Sequence, residues 1–147
     1  MSLFLGGTSS ANECHDYEEG SFTMSLSQGS NTSNSGRYVK IGTIVLAAGN
    51  VSLDNISSGS NVQINGLPFT SDGGGVGRSY NGAIRGYNCS NISGSGMRPT
   101  NAVIHGDGTN VQFGTFESAQ AWSMMAYNDF TSTNNSIRWT CVYKSND

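Results

Sequence analysis

One pattern constrains this chain more than any other: short runs in which every second residue is apolar, each ended by Gly, Ser or Asn. A period of two places alternate side chains on opposite faces of an extended strand. In SFTMSLS the apolar positions are Phe22, Met24 and Leu26. Val39 and Ile41 lead to Gly42, after which Ile44 and Leu46 continue with Val45 on the other face; apolar residues on both faces predict a more fully buried, central strand. Val51 and Leu53 are followed by NISSGSN and then by Val62 and Ile64, which reads as a hairpin. Further strand-length runs cover residues 83–87, 102–105, 111–116, 122–127 and 137–143, with turn-forming segments between them. The best helical candidate, residues 117–125, is short and weaker than a strand preceded by a brief turn of helix. Regular short strands with turn chemistry between them predict an all-β fold, an antiparallel β-sandwich of jelly-roll type.

A chain of 147 residues is long enough to enclose one core without a staple, so residues 16–147 are expected to form a single domain behind an N-terminal lead-in of residues 1–15. Only 12% of residues are charged, which leaves a surface of Ser, Thr, Asn and Gly. The net charge is −3, and the 7 Lys and Arg are spread along the sequence at Arg37, Lys40, Arg78, Arg85, Arg98, Arg138 and Lys144, without a clustered stripe, which argues against a nucleic-acid partner. The longest apolar run, at residues 44–48, falls far short of the roughly 20 residues a membrane-spanning helix needs, so membrane insertion is not expected. The first residues lack the pattern of a secretory leader, and the expectation is either an artificial start added for expression or a cut inside a longer protein. The 3 cysteines, Cys14, Cys89 and Cys141, are odd in number and lack metal-ligand spacing; free, mostly buried thiols are expected, with no zinc and no cofactor.

Residues for catalysis are sparse. The only histidines are His15 and His105, and His105 sits in HGDG, whose composition is that of a β-turn. Asp16, Glu18 and Glu19 read as a solvated lead-in to the first strand, and DGGG lacks the Gly-Lys-Ser/Thr of a phosphate loop. The expectation is a binding or assembly module and not an enzyme. Carbohydrate recognition uses ring faces for stacking, with Asn, Asp or Arg for hydroxyl groups. Tyr80 beside Asn81, Tyr87 beside Asn88 and Tyr127 beside Asn128 fit that chemistry, as do Trp122 and Trp139, with core packing as the competing role for each. The ligand-binding candidates are Tyr80, Asn81, Arg85, Tyr87, Asn88 and Trp122.

Three ordered stretches carry a family resemblance. Asp16-Tyr17-Glu18-Glu19-Gly20-Ser21-Phe22-Thr23 resembles the D-Y-E-E-G-T-[FW]-T-P that opens the C-terminal domain of many tail fibres and tailspikes of tailed bacteriophages. Gly36-Arg37-Tyr38-Val39-Lys40-Ile41-Gly42 is similar to the Y-x-K-I-G of that family, and Ile64-Asn65-Gly66-Leu67-Pro68-Phe69-Thr70-Ser71 to its I-x-G-L-P-F-T-S. Met24 departs from the family's Pro, and residues 73–114 match no part of the pattern. The resemblance implies a β-sandwich at the distal end of a homotrimeric fibre, on the virion tail outside the cell, that aids trimer formation and contacts a bacterial surface polysaccharide or other receptor. The alternatives are a purely structural trimerisation cap, a bacterial lectin or adhesin at the cell surface or secreted, and, last, a polysaccharide-degrading enzyme.

Overall fold

The computed structural model describes residues 3–4, 13–14, 16–28, 34–53, 59–73, 79–87, 99–115, 122–130 and 135–146. The chain is all-β and antiparallel. Strands β1 (Leu3–Phe4) and β2 (Glu13–Cys14) form a small sheet of their own. The remaining strands make one sheet: β3 (Tyr17–Thr23), β4 (Ser25–Leu26), β5 (Asn34–Ile41), β6 (Ile44–Leu53), β7 (Gln63–Asn65), β8 (Ser79–Tyr87), β9 (Pro99–His105), β10 (Asn110–Thr115), β11 (Ser123–Met124) and β12 (Asn135–Lys144). Its order is β3-β5-β6-β12-β8-β9-β10-β7-β4, with β11 on the flank of β10.

The two ends of that order, β3 and β4, are consecutive pieces of one extended segment parted only at Met24. The first piece pairs with β5 and the second with β7, so one segment ties the ends of the sheet together and leaves little open edge. Met24 is buried at the switch, where its backbone N–H donates to the Asn34 carbonyl oxygen at 3.2 Å. The departure from Pro at this position thus supplies a donor that proline lacks.

One face of the sheet encloses a single core of Val45, Ala47, Val51, Leu53, Ile64, Ala102, Ile104, Val111, Phe113, Ile137, Trp139, Cys141 and Tyr143, among others. β12 is the centrepiece, paired with β6 over its whole length and with β8 on the other side. It alternates strictly, with Ile137, Trp139, Cys141 and Tyr143 inward and Arg138, Thr140, Val142 and Lys144 outward. Gly49, opposite Trp139, gives the indole room: a Cβ there would stand 2.9 Å from the ring.

Several sequence expectations change. The Gly42 break is a hairpin turn joining β5 to β6, with Gly42 at φ 59°, a left-handed conformation that favours glycine. The segment after it is central in the sheet but buried on one face only; Val45 and Ala47 point into the core while Ile44 and Leu46 lie on the solvent face. Val51 and Leu53 continue that same strand, and β7 pairs with β10 and β4 instead of forming a hairpin with it. Glu18 and Glu19 lie within β3, not before it. Residues 122–127 form the short β11 and enter a 3-10 turn at Tyr127–Asp129, while residues 117–121 lie outside the described residues.

The three stretches that carry the family resemblance pack on one another. Lys40 pairs with Asp16 at 3.4 Å and sits 5.3 Å from the centroid of the Phe69 ring. Tyr38 donates to the Glu18 carboxylate, which raises its phenol pKa, and meets Phe69 edge-on at 5.2 Å. Gly20 and Gly36 leave the space in which the rings of Tyr38 and Phe22 lie. These motif residues latch β3, β5 and the segment after β7 together.

The Cys141 thiol is free and buried, and burial pushes its pKa up to about 11. In the native state the thiolate fraction near neutral pH is therefore roughly a hundredfold below that of a free thiol. Alkylation mapped by mass spectrometry is expected to leave Cys141 unmodified until the protein is unfolded. Because the folded chain keeps this proton where the unfolded chain loses it, stability falls as pH rises from about 9 towards about 11. The side chain of Cys14, and Cys89, lie outside the described residues.

Candidate functional site

Strand alternation places an uncharged stretch of Asn81, Asn101, Gln112 and Gln63 on the outer face of β8, β9, β10 and β7. With Ala102 and Ile104 in the core, Asn101 and Val103 lie on the opposite face, where Val103 is itself covered at 1% exposure; with Tyr80 inward, Asn81 faces outward. The register brings Asn81 opposite Val103, Asn101 opposite Gly114, and Gln112 between Val103 and Gln63. Gly114 is the key small residue. A Cβ there would lie 2.3 Å from Trp122 Nε1, so the indole lies over the bare backbone of β10.

Trp122 is 40% exposed, and its Nε1–H donates to Asn101 Oδ1 at 3.4 Å. Asn101 Nδ2 donates in turn to Asn81 Oδ1 at 2.9 Å, and Thr100 Oγ1 donates to Asn101 Oδ1 at 3.2 Å. A second amide row adjoins it: Gln112 Nε2 donates to Gln63 Oε1 at 3.5 Å and Gln63 Nε2 to Asn65 Oδ1 at 2.9 Å. The arrangement is an exposed indole fixed at its edge by a chain of carboxamides, none of them charged. It presents a π-face beside paired donors and acceptors, the chemistry that meets a ring of C–H groups and hydroxyls.

The candidates from the sequence divide accordingly. Trp122 and Asn81 share this platform, with Asn101 bridging them. Tyr80 does not join it: the ring is half-buried against the core, stands at 60° to Tyr143 with centroids 6.3 Å apart, and its hydroxyl donates to the Asp72 carbonyl oxygen at 3.3 Å. Its neighbour Asn81 faces out, so a strand must turn Tyr80 in. Trp139 and Tyr127 are likewise core residues. Arg85 is exposed on the same outer surface, about 13 Å from Asn81 along β8. Tyr87 ends β8 with its backbone opposite Ser136; its side chain and Asn88 lie outside the described residues. Asn101, Thr100, Gln112 and Gln63 escaped the sequence reading, although the alternation of Ala102 and Ile104 already turned Asn101 outward.

The turn reading of HGDG holds. Asp107 takes φ 58° there, and its Oδ1 accepts from the Gly73 N–H at 3.1 Å, which anchors the start of the glycine-rich segment. His105 Nδ1 lies 3.2 Å from Ser79 Oγ. Among the described residues no group of His, Cys, Asp and Glu is arranged to hold a metal ion, and no helix is long and apolar enough to cross a membrane.

Cations far apart in the sequence share one face of the sheet, while Lys40 turns inward and Arg78 and Arg98 lie outside the described residues. Arg37, Arg85, Arg138 and Lys144 all project from the outer face of β5, β12 and β8. Beside them lies an apolar patch. Ile41, Ile44, Leu46 and Val142 are 47%, 50%, 44% and 51% exposed, and register makes them neighbours: Ile41 opposite Ile44, and Leu46 opposite Val142.

No protein-family model, no curated protein and no solved structure matches the chain. Fold and site together define the class: an all-β domain closed around one core, with a neutral indole–amide platform and a separate exposed apolar patch on its outer surface.

Proposed function

We propose that the chain is a phage-type fibre-tip domain that binds a glycan of the bacterial surface and assembles with two further copies of itself, placing it on the virion tail. The observation that carries the recognition half is the Trp122–Asn101–Asn81 platform: an indole 40% exposed, held flat over Gly114 and locked by amides at its edge. Exposed tryptophan held rigid has little conformational entropy left to lose on binding, and a neutral surface suits neutral hydroxyls. Asn81 and Asn101 stand on β8 and β9, which hold side chains more rigidly than loops do, and Trp122 directly precedes β11. Three platforms on one fibre end would multiply weak contacts into useful avidity.

The test is a glycan array, followed by adsorption to host cells, with the intact protein. Trp122→Ala removes the stacking face without touching the core and is expected to weaken binding by at least about thirtyfold, the loss typical of a tryptophan anchor. Array binding unchanged by Trp122→Ala would refute the platform. The second reading, a purely structural trimerisation cap, draws on the apolar patch at Ile41, Ile44, Leu46 and Val142. It requires assembly to depend on that patch while Trp122→Ala leaves adsorption unchanged.

A further inference from the structure

Arg85 and Arg138 stand directly opposite each other on neighbouring strands β8 and β12. Facing side chains in such a pair have Cβ atoms about 5 Å apart, and like charges there repel. Among the described residues neither guanidinium has a hydrogen-bond or ion-pair partner, and the same holds for Arg37. Other charges on this face are engaged elsewhere: Lys144 pairs with Asp72 at 2.9 Å, and Glu19, on the strand next to Arg37 and three strands from Arg138, accepts from the Tyr17 hydroxyl at 2.9 Å.

Arg138 and Arg37 also border the same open trough, of about 770 Å³, on the outer face of β3, β5, β6 and β12. Its floor is the small residues Ala48 and Gly49, and its remaining wall includes Ser21, Ser35, Asn50 and Thr140. Asn50 lines the trough with its Oδ1 already accepting from Ser136 Oγ at 2.8 Å, and its amide N–H groups have no partner among the described residues. The trough therefore offers cationic forks at its rim and neutral donors and hydroxyls along its wall.

We infer that this trough is a second binding site, for an acidic saccharide, with Arg138, flanked by Arg85 and Arg37, receiving the carboxylate of a uronic-acid residue and Asn50 and Thr140 receiving its hydroxyls. Guanidinium binds carboxylate through two parallel hydrogen bonds, and an incoming anion relieves the Arg85–Arg138 repulsion that the unliganded sheet carries. The hydroxyl-rich wall favours a sugar acid over a nucleic acid. The aromatic residue that lines the trough, Trp139, is 2% exposed and offers no open ring face to stack a base, and the chain carries a net charge of −3. The inference deepens the glycan-binding reading and rests on it.

The experiment is titration calorimetry of the intact protein with an oligogalacturonate, its fully methyl-esterified form, inorganic phosphate and a single-stranded oligonucleotide. The oligogalacturonate is expected to bind at least about tenfold more tightly than its ester, with the difference shrinking as salt rises. Arg138→Gln is expected to abolish that difference, and, because it removes a like-charge pair, to raise Tm at low salt. The rise in Tm shows that the variant is folded and that Arg138 has no structural role. Equal affinity for acid and ester overturns the acidic site while leaving glycan binding intact. An acid–ester difference that persists in Arg138→Gln overturns the assignment of residues. Phosphate or oligonucleotide binding more tightly than the uronate overturns the ligand class, and no binding by either saccharide overturns this inference, while the Trp122 platform stands or falls by the glycan array.

Discussion

Trp139→Ala is expected to remove about 3–5 kcal/mol of folding stability, the cost of deleting a large aromatic side chain from a close-packed core. The residue is 2% exposed on β12, the strand to which β6 and β8 both pair. Its ring lies over Gly49, with the Phe22 centroid 6.3 Å away, so it joins the closing strand β3 to the centre of the sheet. For a domain whose total stability falls in the usual range of about 5–15 kcal/mol, that loss takes a large share. Denaturant unfolding measures it, as a fall in midpoint at unchanged slope. Trp139→Phe is a sharper probe. Trp139 Nε1 is buried without a hydrogen-bond partner, which carries its own penalty of about 1–3 kcal/mol. Phenylalanine gives up ring volume but also removes that orphan donor, so it is expected to cost much less than alanine. A phenylalanine variant as unstable as the alanine variant would show that the indole is held by something other than packing.

The second large effect concerns assembly. Wild-type protein is expected to scatter light as a particle near three times 15.5 kDa, and Leu46→Lys combined with Val142→Lys to scatter as a monomer. The two residues face each other across β6 and β12 within the exposed apolar patch, at 44% and 51% exposure. Apolar surface of this kind, contiguous on the outside of a sheet, marks a contact surface, and symmetric copies of one chain are the simplest occupants. Burying two unpaired ammonium groups there is far costlier than any contact it replaces. The same substitutions leave the fold intact because both side chains point away from the core; circular dichroism of the double variant is expected to match wild type. A wild-type monomer at high concentration, or a double variant that keeps the wild-type mass, contradicts the trimer.

Much of the fold was legible because alternation is a direct record of which side chains share a face. Ile137, Trp139, Cys141 and Tyr143 announced β12, and Ala102 with Ile104 announced β9. Alternation does not record which strand lies next to which. Val51 and Leu53 looked separate from the run at Ile44, and Val62 and Ile64 looked like their hairpin partner; the actual pairing of β7 with β10 depends on contacts distant in sequence. Nor does it reveal whether a second apolar face meets protein or solvent. Ile44 and Leu46 suggested burial on both sides, and in the single chain that face is open. The site was half legible: Trp122 and Asn81 were singled out by residue type, but Asn101, which joins them, and Gly114, which seats the indole, acquire their roles only from register.

The most direct test of the recognition claim uses the two tryptophans as reporters. Trp122 is 40% exposed and Trp139 is 2% exposed, so a ligand on the platform changes the environment of one indole alone. Titration of the intact protein with an uncharged host surface polysaccharide, which the cationic trough does not select, followed by intrinsic fluorescence, is expected to shift the emission to shorter wavelength as Trp122 is covered. Trp122→Phe is expected to lose that shift while the Trp139 signal stays constant. Polysaccharide binding detected by calorimetry with no change in wild-type emission, or a shift that persists in Trp122→Phe, would contradict the account.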